Sequence, residues 1–175
     1  IVGDSVADPK SFDGLRQMIS GGQLLSMGTD GGALSLGKMD ELVDAVVPGK
    51  PDLLLMSKRS RRKLKDLRRS SGAVLEMSVN QFGERIEVYD GIPVVVDDFM
   101  PDNETQGTGT ALSSIYALKF GQSTGLMGLE HGGITVEPVG SLETKDATRT
   151  RIKWYAGLAL FNSLGVARLS GITAA

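Results

Sequence analysis

Cysteine is absent from this 175-residue chain, histidine occurs once, and aromatic residues make up only 5% of it. Without cysteine, disulfides and thiolate metal sites are excluded, and synthesis in a reducing cytoplasm is compatible with the composition. A histidine-centred triad would have to use His131, yet no Gly-x-Ser-x-Gly elbow exists, and Glu130-His131-Gly132-Gly133 reads as a surface turn. Scarce aromatics leave the basic segment without interleaved stacking platforms for nucleic-acid bases. No apolar run approaches the ~18 residues that span a bilayer, and no basic-then-apolar leader pattern is visible. Internal repeats and low-complexity tracts are absent as well. The chain opens on Ile1 rather than Met, which gives the expectation that a segment precedes it.

What is present describes a folded chain with room for one ordinary domain or two small lobes. Hydrophobic residues make up 41% and charged residues 23%, a globular balance. The 23 glycines, well above a typical ~7%, favour turns and sheet over a helical bundle. The formal charge of −2 hides an asymmetry: from Lys58 to Arg69 there are eight basic residues and one acid, Asp66, a local +7 that leaves −9 elsewhere. Opposite patches of that size suit contact between copies, or one basic face on an acidic partner.

Along the chain, Ile1 to Pro9 reads as turns. A short helix follows, with Pro9 near its first turn and Phe12, Leu15, Met18 and Ile19 at helical spacing, stopped by Gly21-Gly22. Gln23 to Met27 reads as a short strand, and Gly28 to Gly32 as a loop. The next helix carries Leu36, Met39, Leu42, Val43 and Val46 on one face, with Ser35 as N-cap and Pro48-Gly49 at its end. Asp52 to Met56 reads as a buried strand running into Ser57, the N-cap of a basic helix. Period-two alternation over Arg85–Tyr89, then Asp90-Gly91, predicts a hairpin into Ile92–Val96, with Pro93 placing that strand at an edge or bulge. Asp97 to Thr110 lacks periodicity and reads as a long loop. Strands are expected at 114–120, 124–129 and 134–139. A final run from about Thr150 to Asn162 has Ile152, Trp154, Ala156, Leu158 and Leu160 on one face. Its other face turns apolar toward the end, so burial on both faces is expected there. At ~3.3 Å per residue it reaches about 43 Å, longer than a usual strand.

The basic helix has a thin stripe of Ser60, Leu64, Leu67 and Ser71 to lay on a sheet. Like charges four apart, such as Arg59/Lys63 and Arg61/Lys65, cost ~0.2–0.5 kcal/mol per pair. Cations in its first turn also oppose the helix dipole. Counter-charge is therefore expected from elsewhere. Lys58, Arg59, Arg61, Arg62, Lys65, Arg68 and Arg69 are the candidate residues. Three readings stay open for them: a solvated face, contact with acidic residues of neighbouring subunits, or nonspecific contact with phosphates.

Signals for chemistry are few. Gly32 to Lys38 satisfies the G-x-x-x-x-G-K pattern, but Met39 stands where a phosphate loop needs a Ser or Thr for magnesium, so the segment reads as a helix start. Asp97 and Asp98 follow an apolar strand, yet adjacent strand residues point to opposite faces. No catalytic residue, cofactor site or metal site is assigned, and the chain reads as a non-enzyme.

Several motifs in order resemble the major capsid proteins of tailed bacteriophages. They are Phe12-Asp-Gly-Leu15, Asp52-Leu-Leu-Leu-Met56 with the Arg/Lys helix, and Tyr89-Asp-Gly-Ile-Pro93-Val-Val-Val-Asp97-Asp98. Ser113-Ser-Ile-Tyr-Ala117, Gly125-Leu-Met-Gly128-Leu and the run from Leu142 through Trp154 to Ala159 complete the series. The resemblance implies an α+β, Hong Kong 97-like fold with mixed and antiparallel sheets and a few helices. It implies a peripheral-lobe connection over 1–32, an axial lobe over 33–124, and peripheral-lobe strands with a return to the axial lobe over 125–175. It also implies that an N-terminal arm, an extended loop and a long spine helix precede the point corresponding to Ile1.

The function so implied is that of a phage or prophage head subunit. Such a subunit forms pentamers and hexamers of an icosahedral shell around double-stranded DNA, is assembled in the bacterial host cytoplasm and is carried in the virion. Its partners would be its own copies, packaged DNA through nonspecific contact, and scaffolding, portal or cement proteins, with no membrane. Asp102, Asn103 and Glu104 are candidates for a loop at the capsomer axis. Two alternatives accompany this reading: a subunit of an encapsulin-type protein compartment, and, from another class, a basic-helix nucleic-acid-binding module.

Overall fold

The computed structural model describes residues 1–72, 77–79, 83 and 85–173. Its centre is set by three strands that are largely buried on both faces: β2 (Leu53–Met56), β7 (Gly109–Leu118) and β10 (Val166–Ile172). Strands of that kind must be covered on both sides. With β1 (Leu24–Ser26), β3 (Met77–Val79), β4 (Arg85–Tyr89), β5 (Ile92–Val96) and β6 (Glu104–Gln106) they form an eight-stranded sheet. Its order is β1-β10-β7-β2-β5-β4-β3, with β6 paired to the start of β7. The β1–β10 and β2–β5 pairs are parallel and the others antiparallel.

Alternation sorts the side chains between two cores. Leu54, Met56, Ile115, Ala117, Ala167 and Leu169 face one way. There they meet Met39, Leu42 and Val43 of helix α2 (Leu36–Asp44) and Leu64 of helix α3 (Lys58–Ser70). Tyr116, Leu118 and Val166 face the other way, against Leu15 of α1 (Leu15–Met18), Ile19 and Met100. Each fully buried Leu or Met contributes on the order of 1.5–3 kcal/mol. Both long helices start where sequence reading placed them, because their caps are local. Ser35 Oγ accepts the Lys38 N–H at 3.3 Å, and Ser57 Oγ accepts the Ser60 N–H at 3.4 Å.

Four expectations are corrected. The first helix has only four residues, since Asp side chains claim the preceding backbone. Asp4 Oδ1 accepts from Val6 and Ala7, Asp8 Oδ1 from Lys10, and Asp13 Oδ1 from Ser5. Pro93 lies in an interior strand, flanked by β4 and β2. It sits opposite Val88 beside the two-residue turn, and pairing with β2 begins only at Val94, so its absent N–H leaves no ladder bond broken. The stretch 97–110 is not one loop, because it contains β6 and the start of β7.

The fourth correction concerns His131. It lies within one continuous strand, β8 (Leu126–Ser141), which pairs with β9 (Thr148–Leu160) as a separate two-stranded ribbon. Gly132 and Gly133 both adopt positive φ, 71° and 66°. The register shifts between His131 and Thr135, opposite Tyr155 and Lys153, so four steps in β8 match two in β9. The glycines thus make a bulge within a strand rather than a turn between two.

Candidate assembly surfaces

Helix α3 lies on the sheet through Ser60, Leu64 and Arg68, with Leu67 partly covered. Its counter-charges come largely from the same chain. Lys58 Nζ is 2.9 Å from the Asp98 carboxylate, and Arg59 Nε is 3.6 Å from Asp102 Oδ1 and donates to Ser113 Oγ at 3.0 Å. Arg61 and Lys65 share Glu87 on β4, and Lys63 pairs with Asp66. Such half-exposed pairs contribute ~0–1 kcal/mol each, enough to offset the like-charge cost along the helix. Arg68 is corrected from the outward-facing group. It is buried, donates to Val88 O at 2.7 Å, and lies 5.8 Å from the Tyr89 ring centre. Burial, then the hydrogen bond to Asp40, raises the Tyr89 hydroxyl far above its ordinary range. Arg62 and Arg69 are exposed and have no ion-pair partner among the described residues.

The loop candidates separate. Asn103 is exposed. Asp102 is half-buried and ties the loop to the start of α3, accepting from Ser57 Oγ at 2.7 Å. Glu104 belongs to no exposed loop tip. It is buried in β6, where Oε2 meets Arg168 at 2.9 Å and accepts from Ser114. Arg168 also donates to Ser114 Oγ at 3.0 Å and lies 5.7 Å from the Tyr116 ring centre. Burial raises the Tyr116 hydroxyl, and the Arg168 charge moderates the shift. Sequence reading missed this cluster. The signal available to it was a lone arginine in the otherwise apolar run Val166–Leu169.

The ribbon was expected to end buried on both faces. Instead, the last four residues of β9 are half-buried and most of the strand is exposed. Its two faces differ in the half away from the sheet, while nearer the core the second face also exposes Met127, Leu129 and Tyr155. On one, Leu160 and Leu158 leave the core and the stripe continues through Ala156, Trp154 and Ile152, with Val136 opposite Ile152. Ile152 is 70% exposed, Val136 63% and Trp154 62%. Only the Trp154 N–H is engaged, donating to Glu130 Oε1 at 2.8 Å. The other face pairs Glu137 with Arg151, Thr135 with Lys153 and His131 with Tyr155, and carries a 2.6 Å Lys153–Glu137 bridge. Two strands standing alone are marginal in water, and a ribbon with this much apolar surface exposed is built to be covered.

Among the described residues, no group of acidic or histidine side chains is placed to hold a metal ion, and no helix is long and apolar enough to cross a membrane. Lys38 of the phosphate-loop-like segment is spent on Glu41 at 2.6 Å.

No family model matches the chain, and no curated protein matches it. Solved structures do. The chain resembles the holo-SrpI encapsulin complex from Synechococcus elongatus with a TM-score of 0.77 at 22% identity over 93% of its length. The capsid of a native GTA particle gives 0.53 at 16% identity over 93%, and that of an empty GTA particle 0.51 at 16% over 86%. This is the Hong Kong 97-like capsid fold. In Hong Kong 97-like terms the chain is α+β, as the motif series implied, with the large sheet carrying its helices and the long ribbon standing apart. It spans 57%, 57% and 50% of those three neighbouring chains, about half of each.

Proposed function

We propose that this chain is the body of a self-assembling shell subunit whose role is structural, with no catalytic chemistry. The observation that carries the reading is the exposed apolar face of the β8–β9 ribbon, attached to a fold whose solved neighbours are shells. Covering Ile152, Trp154 and Val136 contributes on the order of 1–2 kcal/mol each. Symmetry multiplies such contacts over pentamers and hexamers.

The ordered motifs favour a phage head subunit that encloses double-stranded DNA in a virion, assembled in a bacterial cytoplasm. The likeness at TM-score 0.77 favours the second reading, an encapsulin-type compartment with protein cargo. A free-standing nucleic-acid module is the weaker idea, since five of the eight cations of the basic helix already pair with carboxylates of the same chain.

Negative-stain microscopy of the purified full-length protein tests the shell. Closed particles, rings or sheets are expected, and dispersed monomers at high concentration would overturn the reading. Nuclease treatment of the particles separates the two contents. Protected duplex DNA supports the head, whereas a co-purifying protein with no protected DNA supports the compartment.

A further inference from the structure

Two features at one end of the sheet have no counterpart among the described residues. The first is Phe99, 92% exposed on a fixed turn. Its N–H donates to Asp97 Oδ1 at 2.9 Å, the Asp97 N–H donates to Met56 O at 3.1 Å, and the next residue, Met100, is buried. A ring held out by a fixed turn loses little conformational freedom when it is covered. The second is a cavity of about 320 Å³ whose walls include Leu24, Leu112, Thr105, Arg16, Glu104 and Arg168. The strand leading to Phe99 is β5, whereas β1, β6, β7 and β10 wall the cavity, and β2 lies between. Register places both at the same end: Val96 aligns with Met56, Met56 with Ile115, Ile115 with Leu169, and Leu169 with Leu25.

We infer that Phe99 of one copy seats in this cavity of the next, and the inference rests on the shell reading above. The lining selects an aromatic. Leu24 and Leu112 offer apolar contact. Arg16, which has no ion-pair partner among the described residues, offers a cation to a ring face. Glu104 Oε1, buried without a hydrogen bond, favours the electropositive ring edge. An aliphatic side chain would answer neither charge, an acidic one would meet Glu104, and a basic one would meet Arg16 and Arg168. Because knob and hole are different surfaces of one chain, the contact is head-to-tail, the class of contact that forms a ring when the rotation between copies closes.

These 175 residues contain no cysteine, so thiols introduced at chosen positions report the contact once the single variants serve as controls. Full-length protein carrying Phe99→Cys and Thr105→Cys is assembled, treated with a short bis-maleimide and run on a denaturing gel. A ladder of covalent multimers ending at the ring size is expected, with neither single variant giving it. Phe99→Ala should raise the critical concentration for assembly about tenfold or more, and Phe99→Tyr should restore it where Phe99→Leu does not. Particles that form without a ladder would overturn this contact and leave the shell standing. Linkage by Phe99→Cys alone would put the rings against each other and overturn it too. Absence of particles from the unmodified protein would remove both readings.

Discussion

Replacing Arg168 by Met removes the cation from a desolvated pair. The Arg168 and Glu104 side chains are 9% and 5% exposed, with Nη2 2.9 Å from Glu104 Oε2. Taking both ions out of water costs several kcal/mol each, which their mutual attraction and the Ser114 hydrogen bonds offset. Arg168→Met leaves the carboxylate buried and uncompensated, and should cost about 3–5 kcal/mol. Against a typical stability of about 5–15 kcal/mol, that is a large fraction. At roughly 2–4 °C per kcal/mol for a chain of this size, Tm should fall by roughly 6–20 °C. The double variant Arg168→Met/Glu104→Leu removes both charges and should lie within about 1 kcal/mol of the parent. Urea unfolding of the unassembled subunit, followed by far-UV circular dichroism, measures both. A single variant that loses less than about 1 kcal/mol, or a double variant as unstable as the single one, would refute the argument from desolvation.

Ala111 holds φ at +58°, so Ala111→Gly should raise stability by about 1 kcal/mol in the same urea assay. Asp30 Oδ1 accepts the Thr108 N–H at 2.8 Å, and that bond lowers its carboxyl pKa. The folded value being depressed, the tie is complete above about pH 4 and lost as pH falls through the folded value; the protection of the Thr108 amide relative to its intrinsic exchange rate should drop there and not at neutral pH. Tyr89→Phe deletes the hydroxyl that donates to Asp40 and should cost about 1–2 kcal/mol. The folded tyrosine pKa being raised, its contribution is complete below about pH 10 and fades above it, so parent and variant should converge in alkaline unfolding. Arg62→Glu with Arg69→Glu should leave urea unfolding within about 0.5 kcal/mol. Lys65→Glu, which sets two carboxylates together at Glu87, should destabilise measurably.

Reading the sequence placed α2, α3, the Asp90-Gly91 hairpin and the start of β9 close to where they stand. Their determinants are short-range: a serine cap within three residues, a helical stripe, a two-residue turn with φ of 51° and 77°. The short first helix was misjudged for a reason just as local, since aspartate side chains compete for backbone N–H groups and periodicity does not register that. Of the candidate residues, Lys58, Arg62 and Arg69 are exposed as periodicity implied. Arg68 and Glu104 are not, because each found a partner 20 or 64 residues away, at Val88 and Arg168.

By itself, then, the sequence determined the two serine-capped helices and the Asp90-Gly91 hairpin, where the positive charge is concentrated, and that these 175 residues supply no thiol. Tertiary structure alone decided which charges cancel, that a proline strand lies inside the sheet, and that two glycines bend β8 without ending it. It also decided which apolar residues stay uncovered. Ile152 and Leu158 alternate on one face of the same strand and are indistinguishable by pattern. What separates them is distance from the sheet: Leu158 still reaches the core around Leu126, whereas Ile152 lies beyond every described element that packs on that core.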